Sequence, residues 1–319
     1  MSVSRRKLVL RITAVVIVAV VAVLFTRAII DGWDRVQQYT LLPDLSWVLA
    51  WVLFALAVSV SGVLWGRVLR SLSPGIELPV AEAVRSHLAG WVMRYIPGVG
   101  SVLYKLGWAQ KRGVSKLVAL AGFTYESIFL QIASIVGGGA VLIVAVGLDL
   151  VASNVAVVIA LAVMLVAFVL MVSRPVVRPV LTFVLSRRLK SRVDEVPLLP
   201  TWRSLLYAFE FLVPRVINGI GVVLLSASIF AASAPDPWVV AAAYTVAGAI
   251  GILAVFVPGG LGVREGAFVG ILAAAGVNVV DAVLLAVVAR FVSTLSDLLI
   301  AGVYGLLTAA GRRKDSSSS

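Results

Sequence analysis

A chain of 319 residues that is 61% hydrophobic and only 13% charged, with a mean hydropathy of +1.08, carries far less charge than the roughly 25% of a soluble domain, which excludes an ordinary water-soluble fold. It has no cysteine and a single histidine, His87, so disulfides, thiol chemistry and clustered Cys/His metal sites are excluded, and no cofactor or metal is expected. The formal net charge of +12 raises nucleic acid as a partner, but the basic residues fall in loops between apolar runs without interleaved aromatics, so no nucleic-acid binding is expected.

Apolar runs near 8–26, 47–66, 117–146, 154–173, 204–232, 238–257, 264–277 and 281–309 predict an all-α polytopic membrane protein of about eight transmembrane helices. The first run follows MSVSRRK, contains Arg11 and lacks a small-residue cleavage site, so an uncleaved span is expected. Between the second and third runs, 80–95 places Val80, Val84, Leu88, Trp91, Val92 and Tyr95 on one face, which predicts an amphipathic helix at the membrane surface with His87 beside its stripe. Lys and Arg gather in 1–7, 67–116, 174–203 and the closing GRRKDSSSS, whereas the alternate loops are near neutral or acidic. Both termini are therefore expected on the cytoplasmic side of the cell membrane. A single membrane domain over 1–311 is expected, ending in a disordered basic and serine-rich tail, 312–319.

Two stretches interrupt the apolar pattern in related ways. RYIPGVGSVLYKLG (94–107) aligns with VFVPGGLGVREGAF (255–268), which suggests internal repeats over 1–173 and 174–311. Proline removes a backbone donor and glycine admits turns, so each motif should end one helix and start another. The run 264–277 is short for an independent crossing and stays open between a span and half of a re-entrant element. Broken backbone at membrane depth must be buried in protein or line a wet cavity, and paired interruptions point to a transporter's binding site. Gly98, Gly100, Gly259, Gly260 and Gly262 would shape the turns, helix N-termini would present amide donors to an anion, and Lys105 and Arg264 would add charge there. Glu265 is expected to hold Arg264 in place, with both facing a polar cavity reached by Arg290. The competing reading is an interfacial turn whose cations snorkel to headgroups.

Charges inside spans are functional candidates by default. Glu126, Glu210, Arg215, Arg290 and Asp297 qualify, as proton carriers or as a packing network that pairs among itself. Arg290, Ser293, Thr294 and Asp297 share a helical face, yet the two charges are about 10 Å apart along the axis, so each needs a partner on another helix. Pro214 should break the helix beside Glu210. The glycines of GGGA (137–140) and NGIGVV (218–223) predict close helix contacts.

The stretches IPGVGSVLYKLGWAQKRGVSKLVALAGFTYES and VPGGLGVREGAFVGILAAAGV, with AVVARFVS downstream, resemble the hallmark segments of the lysylphosphatidylglycerol synthase transmembrane-region family, the flippase-type membrane domains of multiple peptide resistance factors. The resemblance covers most of the chain. It marks Pro97, Gly98, Lys105, Glu126, Pro258, Gly259, Gly260, Gly262, Arg264, Glu265 and Arg290 as family positions. Two departures are Ser101 and Ser127, where relatives often carry an acid and an arginine, and the aminoacyl transferase domain of the full resistance factors does not follow here. The resemblance implies translocation of an anionic or aminoacylated phospholipid or a polyprenyl-phosphate-linked sugar, with membrane lipid as the partner and no catalytic residues. A Walker-type ATP loop is not found, so an ion gradient, the membrane potential, downhill flow or a partner would drive it. The alternatives are a scaffold for a glycosyltransferase or lipid synthase, docked through the basic segments, and an intramembrane lipid-modifying enzyme.

Overall fold

The computed structural model describes residues 3–39, 41–93, 100–153, 166, 170, 173–189, 198–254 and 257–317. Every regular element among them is helical. In chain order these are α1 (Val3–Asp31), the one-turn α2 (Trp33–Val36), α3 (Leu45–Leu72), α4 (Val80–Val92), α5 (Gly100–Lys111), α6 (Lys116–Ile132), α7 (Gly138–Ser153), α8 (Arg174–Leu189), α9 (Thr201–Glu210), α10 (Leu212–Phe230), α11 (Pro237–Leu253), α12 (Val263–Ala274) and α13 (Val279–Ser317). A π-helical turn, Ala133–Gly137, joins α6 to α7.

Four stretches are long and apolar enough to cross a membrane: Leu45–Leu72, Lys116–Val146, Thr201–Ser233 and Val279–Tyr304. They coincide with four of the predicted runs. The run 8–26 lies within α1, whereas 154–173 falls almost wholly outside the described residues. Two predicted crossings are shorter than expected: α11 has 17 residues, and α12 only 12, which at 1.5 Å per residue is about 18 Å, little more than half a hydrocarbon core. The last helix runs on through the basic tail to Ser317, so 312–317, expected to be disordered, continue it; cations suit a helix C-terminus.

The chain forms two units, each assembled from separated segments. One takes Met1–Leu53, Ser134–Ala162 and Val216–Val292. Its helices meet at glycines, as GGGA and NGIGVV predict: a methyl on Gly138 would lie 3.0 Å from Val246, and one on Gly219 3.1 Å from Ala241. At one end, the Arg35 guanidinium donates two hydrogen bonds of 2.7 Å to the Asp281 carboxylate, which also accepts from the Tyr39 hydroxyl at 2.9 Å. The bond to Asp281 holds Arg35 protonated beyond its ordinary range, and burial raises the Tyr39 hydroxyl. Nearby, Asp44 accepts from Ser228 at 2.9 Å and from the backbone opening α3; the Ser228 bond lowers its carboxyl below the usual range.

The other unit takes Phe54–Ala133, Val163–Arg215 and Ser293–Ser319. Here α4 departs from the expected amphipathic pattern. Its buried line is Ala83, Ser86, His87 and Gly90, with Leu88 and Ala89, while Val80 is exposed. The reason lies on α3, where Gly62 and Gly66 leave no side chain between the backbones: a methyl on Gly62 would fall 3.0 Å from the His87 Cβ, and one on Gly66 2.7 Å from the Ala83 Cβ. The small face therefore packs inward, and the apolar residues Val84, Trp91 and Val92 line a second contact around Val58, Leu88 and Ile300. Phe129, Tyr207 and Phe211 stack at the core of this unit, and the Tyr125 hydroxyl accepts the backbone N–H of Leu199.

Candidate functional site

Each Pro-Gly motif sits at the turn of a hairpin of two short helices. The first is α4–α5; of its turn, Arg94–Val99, including Pro97 and Gly98, lies outside the described residues. Gly100 is the first residue of α5. The second hairpin is α11–α12, and its antiparallel course is marked by Gly251 against Arg264 near the turn and Tyr244 against Phe268 further along. Its turn runs through Gly259, Gly260 and Gly262 at φ of +63°, +67° and +78°, left-handed conformations that explain three glycines in four positions. Gly260 also touches the facing helix: a methyl there would lie 2.9 Å from the Gly251 carbonyl oxygen.

The two hairpins share one more device. Gly90 and Gly251 each stand seven residues before their proline, and each faces the hairpin's cation across the turn. A methyl on Gly90 would lie 3.2 Å from the Lys105 side chain, and one on Gly251 2.8 Å from Arg264 Cβ. In both cases the missing side chain leaves room for a long cationic one.

Beyond that, the hairpins treat their charges differently. Lys105, 5% exposed, does not offer its ammonium at a helix end as expected. It donates to both oxygens of Glu126 on α6, at 2.9 and 2.8 Å, and stands 2.9 Å from His87 Nδ1 on α4. Its amine also lies over the rings of Trp65 and Phe123, 4.8 and 5.6 Å from their centroids. An ammonium engaged in this way is closed to a headgroup. The reason is position: Lys105 follows Gly100 by more than a helical turn, which carries it past the turn and into the unit.

In the second hairpin Glu265 comes first and the cation follows on the next helix. Glu265 Oε2 accepts the Gly262 N–H at 2.7 Å, and Oε1 accepts from Arg290 NH1 on α13 at 3.3 Å. This corrects the expectation that Glu265 holds Arg264. Once α12 begins at Val263, consecutive side chains diverge by about 100°, so neighbours cannot share a face. The same bond takes one amide of the helix end, that of Gly262, out of the set expected to face an anion. Arg264 is half-buried, has no carboxylate partner among the described residues, and lays its guanidinium over Tyr244, 4.4 Å from the ring centroid.

Of the other span charges, Glu210 and Asp297 each have a partner outside that group. Glu210, at the end of α9, pairs with Arg67 at 2.7 Å, and the helix breaks at Phe211 as Pro214 predicts. Asp297 accepts the Trp91 indole N–H at 2.7 Å. Arg290 and Asp297 thus each engage a different helix, as their axial separation requires. Arg215 opens α10 in its first turn. Sequence reading missed His87, Trp91 and Arg67 as partners; His87 and Lys105 stand on the two arms of one hairpin, and that pairing was the available signal.

Residues 11–301 match the family model described as the lysylphosphatidylglycerol synthase TM region. No curated protein matches the chain.

Proposed function

Because the chain belongs to the lysylphosphatidylglycerol synthase transmembrane-region family over nearly its whole length, we propose that its membrane lipid function is the translocation of a phosphate-bearing lipid between leaflets. The substrate class is an anionic or aminoacylated phospholipid, or a polyprenyl-phosphate-linked sugar. The carrying observation is Arg264: a guanidinium beside a left-handed glycine turn, stacked on Tyr244 and without an acid of its own among the described residues. A planar fork held by an aromatic face is pre-arranged to grip two oxygens of a phosphate, while acyl or prenyl tails remain in lipid. In this reading the two short hairpins are re-entrant elements, and Glu265 with Arg290 stiffens the base of the second. The chain works by moving its lipid and makes or breaks no covalent bond.

The test is headgroup transfer in proteoliposomes carrying wild type, Arg264→Ala, Arg264→Lys and Glu265→Gln. Loss of a charged hydrogen bond to phosphate is worth about 1.5–3 kcal/mol, so Arg264→Ala should slow transfer by about ten- to a hundredfold with little change in thermal stability. Arg264→Lys should fall between. Glu265→Gln should instead lower stability, by about 1–2 kcal/mol for a weakened cap and ion pair. Equal transfer by all four would reduce the motif to a structural turn. Covalent turnover of the lipid would reveal an enzyme, and neither transfer nor turnover would leave a scaffold for a lipid synthase or glycosyltransferase.

We place both termini on the cytoplasmic side of the cell membrane, following the Lys/Arg asymmetry. With no native cysteine, a single introduced thiol reports its own side of the membrane. Ser233→Cys should label from outside intact cells and Ser317→Cys only after permeabilisation; labelling of both under the same condition would overturn this orientation.

A further inference from the structure

Lys105 and Glu126 would close each other's charge without help, yet a third ionisable group is built against them. His87 is 2% exposed, and its Nδ1 lies 2.9 Å from Lys105 Nζ and 3.3 Å from Glu126 Oε1. An ammonium has donors and no acceptor, so the ring nitrogen facing it must be the acceptor and the ring proton must sit on Nε2. Among the described residues that buried Nε2 has no hydrogen-bond partner, and neither has the Oγ of Ser86, the preceding residue. A buried polar atom without a partner calls for an explanation, and the Nδ1 lone pair, which faces both charges of the pair, is the ring atom that can take up a proton.

We propose that His87, Lys105 and Glu126 form a proton-binding site that couples the hairpin α4–α5 to proton uptake; its use in transport rests on the translocation reading. A hydronium ion from the aqueous phase gives its proton to the Nδ1 lone pair of His87 and leaves as water, and no bond of the chain breaks. Nδ1 changes from acceptor to donor, so its contact with Lys105 becomes one between two donors and is lost. The new N–H turns to Glu126 Oε1, now shared by two cations, and the cluster passes from neutral to a net charge of +1. Because His87 stands on one arm of the hairpin and Lys105 on the other, the exchange releases the arms from each other.

Among the described residues, these contacts surround the cluster. From α3 the cluster meets Trp65, itself packed on Trp108 of α5, and from α6 it meets Phe123 beside Glu126. From α4 itself Trp91 stacks on His87, with its indole bonded to Asp297 of α13, the nearest further acid in this set of contacts. Uptake of a proton therefore favours either a move of Lys105 or the approach of an anion, and either event would change the hairpin.

The single histidine makes the test a one-residue experiment. In full-length protein carrying 15N-histidine in lipid nanodiscs, the expected spectrum is one neutral ring protonated at Nε2. Burial and the facing Lys105 ammonium oppose a further charge, so the ring should convert to an imidazolium only on acidification below the ordinary window of histidine. Glu126→Gln should lower the ring's proton affinity and Lys105→Met should raise it, each by about tenfold, as for removal of one close charge. Should Lys105→Met not fold, Lys105→Arg, which keeps the charge and changes the amine, should leave the affinity within about threefold of wild type. An Nδ1-protonated ring, no conversion down to the pH at which the protein unfolds, or a conversion indifferent to Glu126→Gln would overturn the site. In proteoliposomes with a trapped pH dye, lipid transfer by wild type should carry protons and that by His87→Gln should not. Transfer without proton movement in both would overturn the coupling. Failure of wild type to transfer lipid would count against the translocation reading, while the resonance measurement still decides the proton site.

Discussion

Glu126→Ala is expected to lower stability by about 3–5 kcal/mol, the cost of stranding one charge of a buried pair. Glu126 is 4% exposed and Lys105 5%, so water cannot take over the carboxylate's part. The ammonium loses both of its short contacts and keeps only His87 and two ring faces. Replacing both partners, Lys105→Met with Glu126→Met, should recover most of the loss, because the burial penalty then disappears along with the attraction. Thermal unfolding in one detergent compares the three proteins. A single mutant within about 0.5 kcal/mol of wild type, the range of an inconsequential surface change, would show that the pair is hydrated and not sealed.

Gly260→Ala should be nearly as damaging, at about 2–5 kcal/mol. A left-handed residue with a Cβ costs about 1–2 kcal/mol, and overpacking against fixed backbone adds about 1–3. The obstacle is a carbonyl oxygen of α11, 2.9 Å from the added methyl, which cannot swing aside as a side chain would. Its relief must come from separating the hairpin arms, which would also misdirect Arg264. Gly270→Ala is the control: it lies inside α12 with nothing within 4 Å of the new methyl, so it should be neutral or stabilise by up to about 1 kcal/mol. Thermal unfolding of both variants decides it, and equal behaviour would show that the turn yields freely.

The membrane class and four of the spans were legible because hydropathy over about 20 residues is an additive property of the chain. The helix break at Glu210 was legible too, since proline acts locally. The partners of the charges were not. Glu265 adjoins Arg264 in sequence, but their divergence depends on where α12 starts, and that start is set by three left-handed glycines. His87 looked like a residue at the edge of an apolar stripe until Gly62 and Gly66 were seen to admit the adjoining small face of α4. Both misreadings share a cause: a helix's own periodicity gives its faces, whereas a neighbouring helix decides which of them is covered.

The clamp between Arg35 and Asp281 joins residues 246 positions apart, near the two ends of a unit assembled from three segments. At a synthesis rate of about 5–20 residues per second, Arg35 is made about ten to fifty seconds before the carboxylate that will bind it. Through that interval the nascent chain carries Arg35 with its native acid still unmade, solvated by water and beside Asp31 and Asp34 in sequence. The order of synthesis thus makes the last predicted crossing the step that completes the first.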